Sequence, residues 1–275
     1  MKVLVTNDDG IFSPGLFAVK QAMERCGEVA VIAPDKNRSA IGRGITIGES
    51  LNVQEISFPD GSTGFSVDGT PVDCVRLAAL GFLEWEPDIV VSGINLGPNL
   101  GDDITYSGTV AAAFEGIMLG TPAIAVSIER PGGWKETGNE GVFHFDTVAA
   151  FTSRLAEAVL GNSLPGPVLL NINSPNLPPA EIRGAAVTRL GKRIYRDQLI
   201  EKGGDGNGHR RYQIYGDDPS YHEEEGTDFH ALAEDKISVT PIHFALTNLA
   251  GMELIHELGL DTLLDSGRNG CQEAS

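Results

Sequence analysis

Cysteine is scarce in this chain. Only Cys26, Cys74 and Cys271 occur among 275 residues, far apart and with no C-x-x-C pair. That excludes a disulfide framework and a zinc–thiolate site, and it fits a reducing compartment. Positive charge is also short. Twenty Lys and Arg face 38 Asp and Glu, a formal net charge of −18, and such a surface repels phosphate backbones, so no binding to nucleic-acid polymers is expected. No apolar run is long enough to span a bilayer, and Met1 leads straight into a strand-like segment without a basic leader. The expectation is a cytoplasmic protein that meets no membrane. The six histidines show neither H-E-x-x-H nor H-x-H spacing, which leaves no histidine-based metal motif. The first strand–helix turn lacks G-x-G-x-x-G, the fingerprint of a dinucleotide fold.

What is present begins at Asn7-Asp8-Asp9-Gly10. These residues follow the apolar run Val3-Leu4-Val5, which reads as a buried strand. Two adjacent carboxylates at the mouth of such a strand repel each other, and the repulsion raises a pKa unless a cation compensates. No Lys or Arg lies between Lys2 and Lys20, so a bound metal ion is the simplest compensation.

The first half alternates strand and helix patterns. Strands are expected at 2–6, 28–33, 88–92, 123–128 and 168–172, with shorter, less buried strands between 45 and 67. Helices are expected at 15–26 (closed by Gly27 as a C-terminal cap), from Thr70-Pro71 onward, at 109–119 and at 145–160. This βαβ series implies an α/β fold: a Rossmann-like, mostly parallel sheet flanked by helices, with a C-terminal hairpin and helix extension. The expected division is a catalytic core at 1–180 and an oligomerisation segment at 181–275. Within the latter, 184–216 reads as a strand hairpin (AAVTRLG with RRYQIYG), 201–228 as exposed, 237–240 as a last strand and 248–265 as a terminal helix.

In an open parallel sheet, ligands bind beyond the carboxyl ends of the strands. Three loops leave such ends, at 7–14, 34–44 and 92–108. The second carries Lys36, Arg38 and Arg43 in an acidic chain, a local inversion that points to an anionic ligand. In the third, Ser107-Gly108-Thr109 opens a helix whose free N–H groups can hold phosphate. Each loop alone also has a plain reading: a turn or cap for Asp8 and Asp9, a solvated loop for 34–44, an N-cap for Ser107. Together they offer Asp8, Asp9, Ser39 and Asn95, an all-oxygen donor set that suits Mg²⁺, Mn²⁺ or Ca²⁺ better than zinc or copper.

These stretches resemble the SurE family of stationary-phase survival proteins. The resemblance rests on Val5-Thr6-Asn7-Asp8-Asp9-Gly10 with Pro14-Gly15, Ala33-Pro34 with Arg38-Ser39-Ala40, and Asp68-Gly69-Thr70-Pro71. It continues through Val91-Ser92-Gly93-Ile94-Asn95 with Gly97 and Asn99, Tyr106-Ser107-Gly108-Thr109-Val110 and Gly120-Thr121-Pro122-Ala123. Weaker echoes occur at Asn171-Ile172-Asn173, Gly226-Thr227-Asp228 and Ser238-Val239-Thr240-Pro241. The resemblance implies a 5'-nucleotidase, a metal-dependent phosphatase hydrolysing nucleoside monophosphates, with activity extending to 3'-nucleotides and short polyphosphate. It implies one Mg²⁺ or Mn²⁺ per subunit on Asp8, Asp9, Ser39 and Asn95, and catalytic roles for Asp8, Asp9 and Asn95. The phosphate would meet Ser39, Asn95, Asn99, Ser107, Gly108 and Thr109. It also implies a homodimer or homotetramer that exchanges a hairpin (190–216) and a C-terminal segment (245–265); the acidic stretch 201–225 departs from the family pattern.

Two other readings differ in chemistry. A haloacid-dehalogenase-type phosphatase would use an Asp nucleophile after the first strand with a second Asp two residues on, but Gly10 stands two past Asp8. A non-catalytic nucleotide sensor would bind AMP with metal and not turn it over. Asp228 is a candidate to approach the site from the second half.

Overall fold

The computed structural model describes residues 1–132, 141–162, 168–195, 198–204, 208–214, 220–260 and 263. The strands are β1 (Lys2–Thr6), β2 (Glu28–Pro34), β3 (Val53–Ser57), β4 (Thr63–Val67), β5 (Ile89–Leu96), β6 (Ala123–Ile128), β7 (Leu169–Ser174), β8 (Ala185–Val187), β9 (Arg193–Ile194), β10 (Ile200–Gly204), β11 (Arg210–Gln213), β12 (Ser220–Tyr221) and β13 (Ile237–Ile242). The α-helices are α1 (Pro14–Met23), α2 (Pro71–Leu77), α3 (Gly108–Met118), α4 (Phe145–Gly161), α5 (Asp228–Ala233) and α6 (Leu249–Glu257). A nine-stranded sheet runs β3-β4-β2-β1-β5-β6-β7-β13-β8. The strands from β4 to β7 are parallel, while β3 and β13 run antiparallel to their neighbours β4 and β7. The fold is therefore the expected α/β type with a mostly parallel sheet.

The apolar runs become central strands because both faces of the sheet are covered. Side chains alternate across the sheet, so Val3 and Val5 join one core cluster with Leu16 and Val19 of α1 and Val148 of α4. Leu4 joins the other, with Cys74 and Val75 of α2 and Val110 and Ala112 of α3. Each Val or Leu side chain fully removed from water contributes about 1.5–3 kcal/mol. The small residues of α3 allow it to lie close on the sheet; a methyl group on Gly116 would stand 3.1 Å from Val90 Cγ2. Thr70 and Asp73 form a reciprocal capping box at the start of α2, the cap expected of that motif.

Several expectations shift. α1 stops at Met23, and Gly27 serves close packing onto Met1 in place of a left-handed cap: an added Cβ would lie 1.8 Å from the Met1 carbonyl oxygen. Residues 45–48 form no strand, because they lie in the loop that Asp73 holds through the Thr46 N–H at 3.0 Å. The expected hairpin has different partners. Residues 185–187 pair in parallel with β13, and Arg210–Gln213 pairs antiparallel with β10, within the stretch expected to be exposed, where the β11 residues are exposed. The compact body runs through Ile242, since β8 and β13 complete the main sheet; the boundary expected at 180 falls inside it.

Residues 243–275 form a separate unit. Its described part holds α6, begun by the Asn248 side chain accepting from the Gly251 N–H at 2.9 Å and ended at Glu257, before the left-handed Gly259 (φ 59°), short of the expected 265; residues 261, 262, 264 and 265 lie outside the described residues, as does Cys271. No helix among the described residues is long and apolar enough to cross a membrane.

Candidate active site

The sheet order fixes where the site lies. From β1 the chain passes to β2 on one side and, after β4 and α2, returns to β5 on the other. Strand order reverses at β1, and the crevice beyond the carboxyl ends of β1 and β5 is the topological switch point. Asp8 and Asp9 follow β1 directly; Asn95 sits in the last turn of β5, where its pairing with β6 shifts register between Ser92 and Asn95.

The Asn7-Asp8-Asp9-Gly10 turn closes on itself. Buried Asn7 donates from Nδ2 to the Gly10 carbonyl at 3.0 Å and accepts the Gly10 N–H at 3.1 Å. Gly10 takes φ 103°, a value few other residues adopt. The turn thereby fixes both carboxylates. Asp8 is buried and accepts a 2.5 Å hydrogen bond from Thr109 Oγ1. Burial pushes its pKa up, against the pull of Thr109 and of N–H groups at the start of α3. Asp9 accepts the Leu96 N–H at 3.0 Å and Asn37 Nδ2 at 3.3 Å. Burial and then the neighbouring Asp8 charge push its pKa up to about 6.

The second loop crosses beside this turn. Arg38 N–H donates to the Asp8 carbonyl at 2.7 Å, and Asn37 Oδ1 accepts the Ser39 N–H at 2.8 Å, which sets Ser39 at the rim. The two arginines of the loop are engaged elsewhere. Arg38 reaches Asp35 and the Asp68 carbonyl, and Arg43 pairs with buried Glu115, which Arg76 also contacts. The two arginines thus hold the loop to the body.

In the third loop, Asn95 Nδ2 donates to the Gly97 carbonyl at 2.6 Å, committing the amide nitrogen and leaving the oxygen as its donor to a cation. Asn99 is held at three points. Its N–H meets Asn173 Oδ1 at 2.7 Å, its carbonyl accepts from Asn171 and Asn173 at 2.9 Å, and its Nδ2 donates to Ser127 at 2.8 Å. Ser107 caps α3 by accepting the Val110 N–H at 3.1 Å. The start of α3 faces Asp8: a methyl group on Gly108 would lie 2.7 Å from Asp8 Cβ. Gly108 and Thr109, expected to cradle phosphate, here support a carboxylate with the same N–H groups and helix dipole.

Asp8, Asp9, Ser39 and Asn95 line one cavity of about 800 Å³, together with Asn99 and Ser107. The same cavity is lined by Asn37, Asp103, Tyr106, Arg130, Arg193 and Tyr195, to which sequence reasoning gave no role. Arg130 lies just past the carboxyl end of β6, a rim position the sheet rule could have flagged; Arg193 and Tyr195 carried no local signal. Asp228 does not line the cavity. It is buried, and it accepts the N–H groups of Gly101 and Gly191.

The donor chemistry fits a hard cation. Two carboxylates with raised pKa values receive neutral donors from Thr109, Leu96 and Asn37, and a divalent ion would offset their repulsion. Among the described residues no group of three His, Cys, Asp or Glu can hold a metal, so the amide of Asn95 and the hydroxyl of Ser39 would complete the set.

The profile of the family described as "Survival protein SurE" matches residues 3–197. This chain belongs to the SurE family. It is 52% identical to the 5'-nucleotidase SurE of Rubrobacter xylanophilus over 96% of this chain and 99% of that one. It is 45% identical to the 5'-nucleotidase SurE of Geobacter sulfurreducens, with 94% of each covered. The crystal structure of the SurE protein from Aquifex aeolicus superposes with a TM-score of 0.80 at 42% identity, over 94% of this chain and 100% of that one. The structural likeness covers a larger share of the chain than the profile does, so it extends past residue 197.

Proposed function

We propose that this SurE-family chain is a 5'-nucleotidase that hydrolyses nucleoside monophosphates with the help of one Mg²⁺ or Mn²⁺ ion, extending to 3'-nucleotides and short polyphosphate. The 5'-nucleotidase class rests on its relatives' shared name. The metal dependence rests on the buried, adjacent Asp8 and Asp9 sharing a cavity with Ser39 and Asn95 at the switch point of the sheet.

Asp8, Asp9, Ser39 and Asn95 would hold the ion, which supplies Lewis-acid polarisation of a phosphoryl oxygen and a lowered pKa for attacking water. Thr109 and the start of α3 align Asp8 and favour its ionised form against the burial that raises its pKa. Asp9 Oδ2 is fixed by the Leu96 N–H, while Oδ1 has only the longer Asn37 contact among the described residues and orients the attacking water. Asn99 and Ser107 meet the phosphate from the cavity wall. Catalysis then rests on positioning and charge stabilisation, as phosphoryl transfer requires.

We place the enzyme in the cytoplasm, in keeping with free Cys26 and Cys74. We also infer a homodimer or homotetramer, because α6 and its flank expose Leu249, Leu254 and Leu258 at 72%, 63% and 56%, more apolar surface than a lone helix carries without a partner. Phosphate release from a panel of nucleoside monophosphates, 3'-nucleotides and tripolyphosphate tests the reading. Turnover lost with chelator and regained with Mg²⁺ or Mn²⁺ is the expected result. No phosphate release from any nucleoside monophosphate would overturn it.

A further inference from the structure

The cavity that Asp8 and Asp9 line also carries a compact polar cluster in its wall. Arg193 Nη1 pairs with Asp103 Oδ2, and the Tyr195 hydroxyl donates to Asp103 Oδ1 at 2.7 Å. The Arg193 guanidinium stands 5.2 Å over the Tyr195 ring, and its buried Nε has no hydrogen-bond partner among the described residues. Asp103 and Arg193 come from segments 90 residues apart, so something must hold those segments in register.

Buried Asp228 holds them. One carboxylate oxygen accepts the Gly101 N–H at 2.7 Å, and the other accepts the Gly191 N–H at 2.8 Å. Each glycine lies two residues before a member of the ion pair, Gly101 before Asp103 and Gly191 before Arg193. The joint is close-packed. A Cβ on Gly101 would lie 2.6 Å from the Gly191 carbonyl oxygen, and one on Gly191 would lie 2.6 Å from the Phe229 ring. Phe229 stacks on Tyr221 with centroids 4.7 Å apart, and β12, which contains Tyr221, pairs with β9, which contains Arg193. Asp228 is thus the carboxylate that joins two loops of the site while standing outside the cavity.

We infer that the Asp103–Arg193–Tyr195 cluster is the wall that receives the nucleoside part of the substrate, and that Asp228 is its positioning residue. This rests on the nucleotidase reading. The cluster offers what a base and ribose need: an aromatic face, a guanidinium, and hydrogen-bonding oxygens, with the metal-type donors lining the same cavity. A guanidinium and a phenol ring are sequence-tolerant stacking partners for bases, which fits recognition of nucleosides as a class.

The test compares AMP with p-nitrophenyl phosphate, which has a phosphate and no nucleoside, in saturating Mn²⁺. In Asp228→Asn the bidentate grip on the two N–H groups is lost. Tyr195→Ala removes the ring itself from an exposed position and covers the case in which Asp228→Asn fails to fold. For both variants, the ratio of kcat/KM for AMP to kcat/KM for p-nitrophenyl phosphate is expected to fall about tenfold or more, mainly through KM for AMP. An equal fall for both substrates, or an unchanged ratio, would overturn the assignment. Absence of AMP turnover by the unsubstituted protein would instead count against the nucleotidase reading and would be seen before any variant is made.

Discussion

The two sides of the cavity are built in opposite ways. The aspartate side is local. Asn7, Asp8, Asp9 and Gly10 form one turn whose own hydrogen bonds close within four residues, and the strand beneath it pairs directly with β5; Leu96 of β5, Asn37 and Arg38 of the second loop and Thr109 of α3 then fasten it from outside. The Arg193 side is assembled from segments far apart in the chain, joined by Asp228 and by the stacking of Tyr221 on Phe229. A site whose metal chemistry sits on the central strands and whose recognition surface sits on later loops can vary the second without disturbing the first.

The largest effect that separates the sides is expected from Asp9→Asn. It should cut phosphate release from AMP about a thousandfold or more even with ample Mn²⁺, with the circular dichroism spectrum and unfolding cooperativity retained; turnover near the unsubstituted rate would remove Asp9 from the metal site. Next comes Asn99→Ala, expected to lower kcat about a hundredfold while Mn²⁺ affinity, read by calorimetry, is kept. A parallel loss of Mn²⁺ affinity would move Asn99 from the phosphate to the ion. Gly108→Ala follows. Its new methyl group would press on Asp8, and Mn²⁺ affinity should weaken about tenfold, a change that a phosphate-only role for Gly108 would not produce.

The smallest effect concerns pH. Asp9 carries a folded-state pKa of about 6, above the ordinary value near 3.9, so the folded metal-free protein binds that proton more tightly than the unfolded chain. Its contribution to stability is present below about pH 4 and is lost as pH rises toward 6, a change of about 1–2 kcal/mol; the raised pKa of Asp8 acts in the same direction. Thermal unfolding of the metal-free protein should therefore show a falling Tm across that window, and the gain in Tm from Mn²⁺ should grow over it. A Tm that rises with pH there, with no growth in the Mn²⁺ effect, would contradict the burial of an uncompensated pair.

The aspartate side was legible in the sequence because its signals are short-range: an apolar strand, a polar turn, a Gly-rich loop and a helix start follow one another in chain order. The central strands were legible for the same reason, as continuous apolar runs. The Arg193 side was not, since nothing within ten residues of Arg193 announces Asp103, and the weak Gly226-Thr227-Asp228 echo does not say that its carboxylate binds two glycine N–H groups. The hairpin was misassigned because AAV and RRYQ both have strand character, and alternation alone does not choose between β13 and β10 as a partner. The basic loop pointed toward an anion, whereas Arg43 was answering a buried carboxylate, Glu115, 72 residues away.

Calorimetric titration of Mn²⁺ into the chelator-treated protein, with Asp8→Asn and Asp9→Asn beside it, addresses the central claim most directly. A single tight ion in the unsubstituted chain and none in either variant is the predicted result. Equal Mn²⁺ binding by all three proteins would show that the paired carboxylates do not hold the cation.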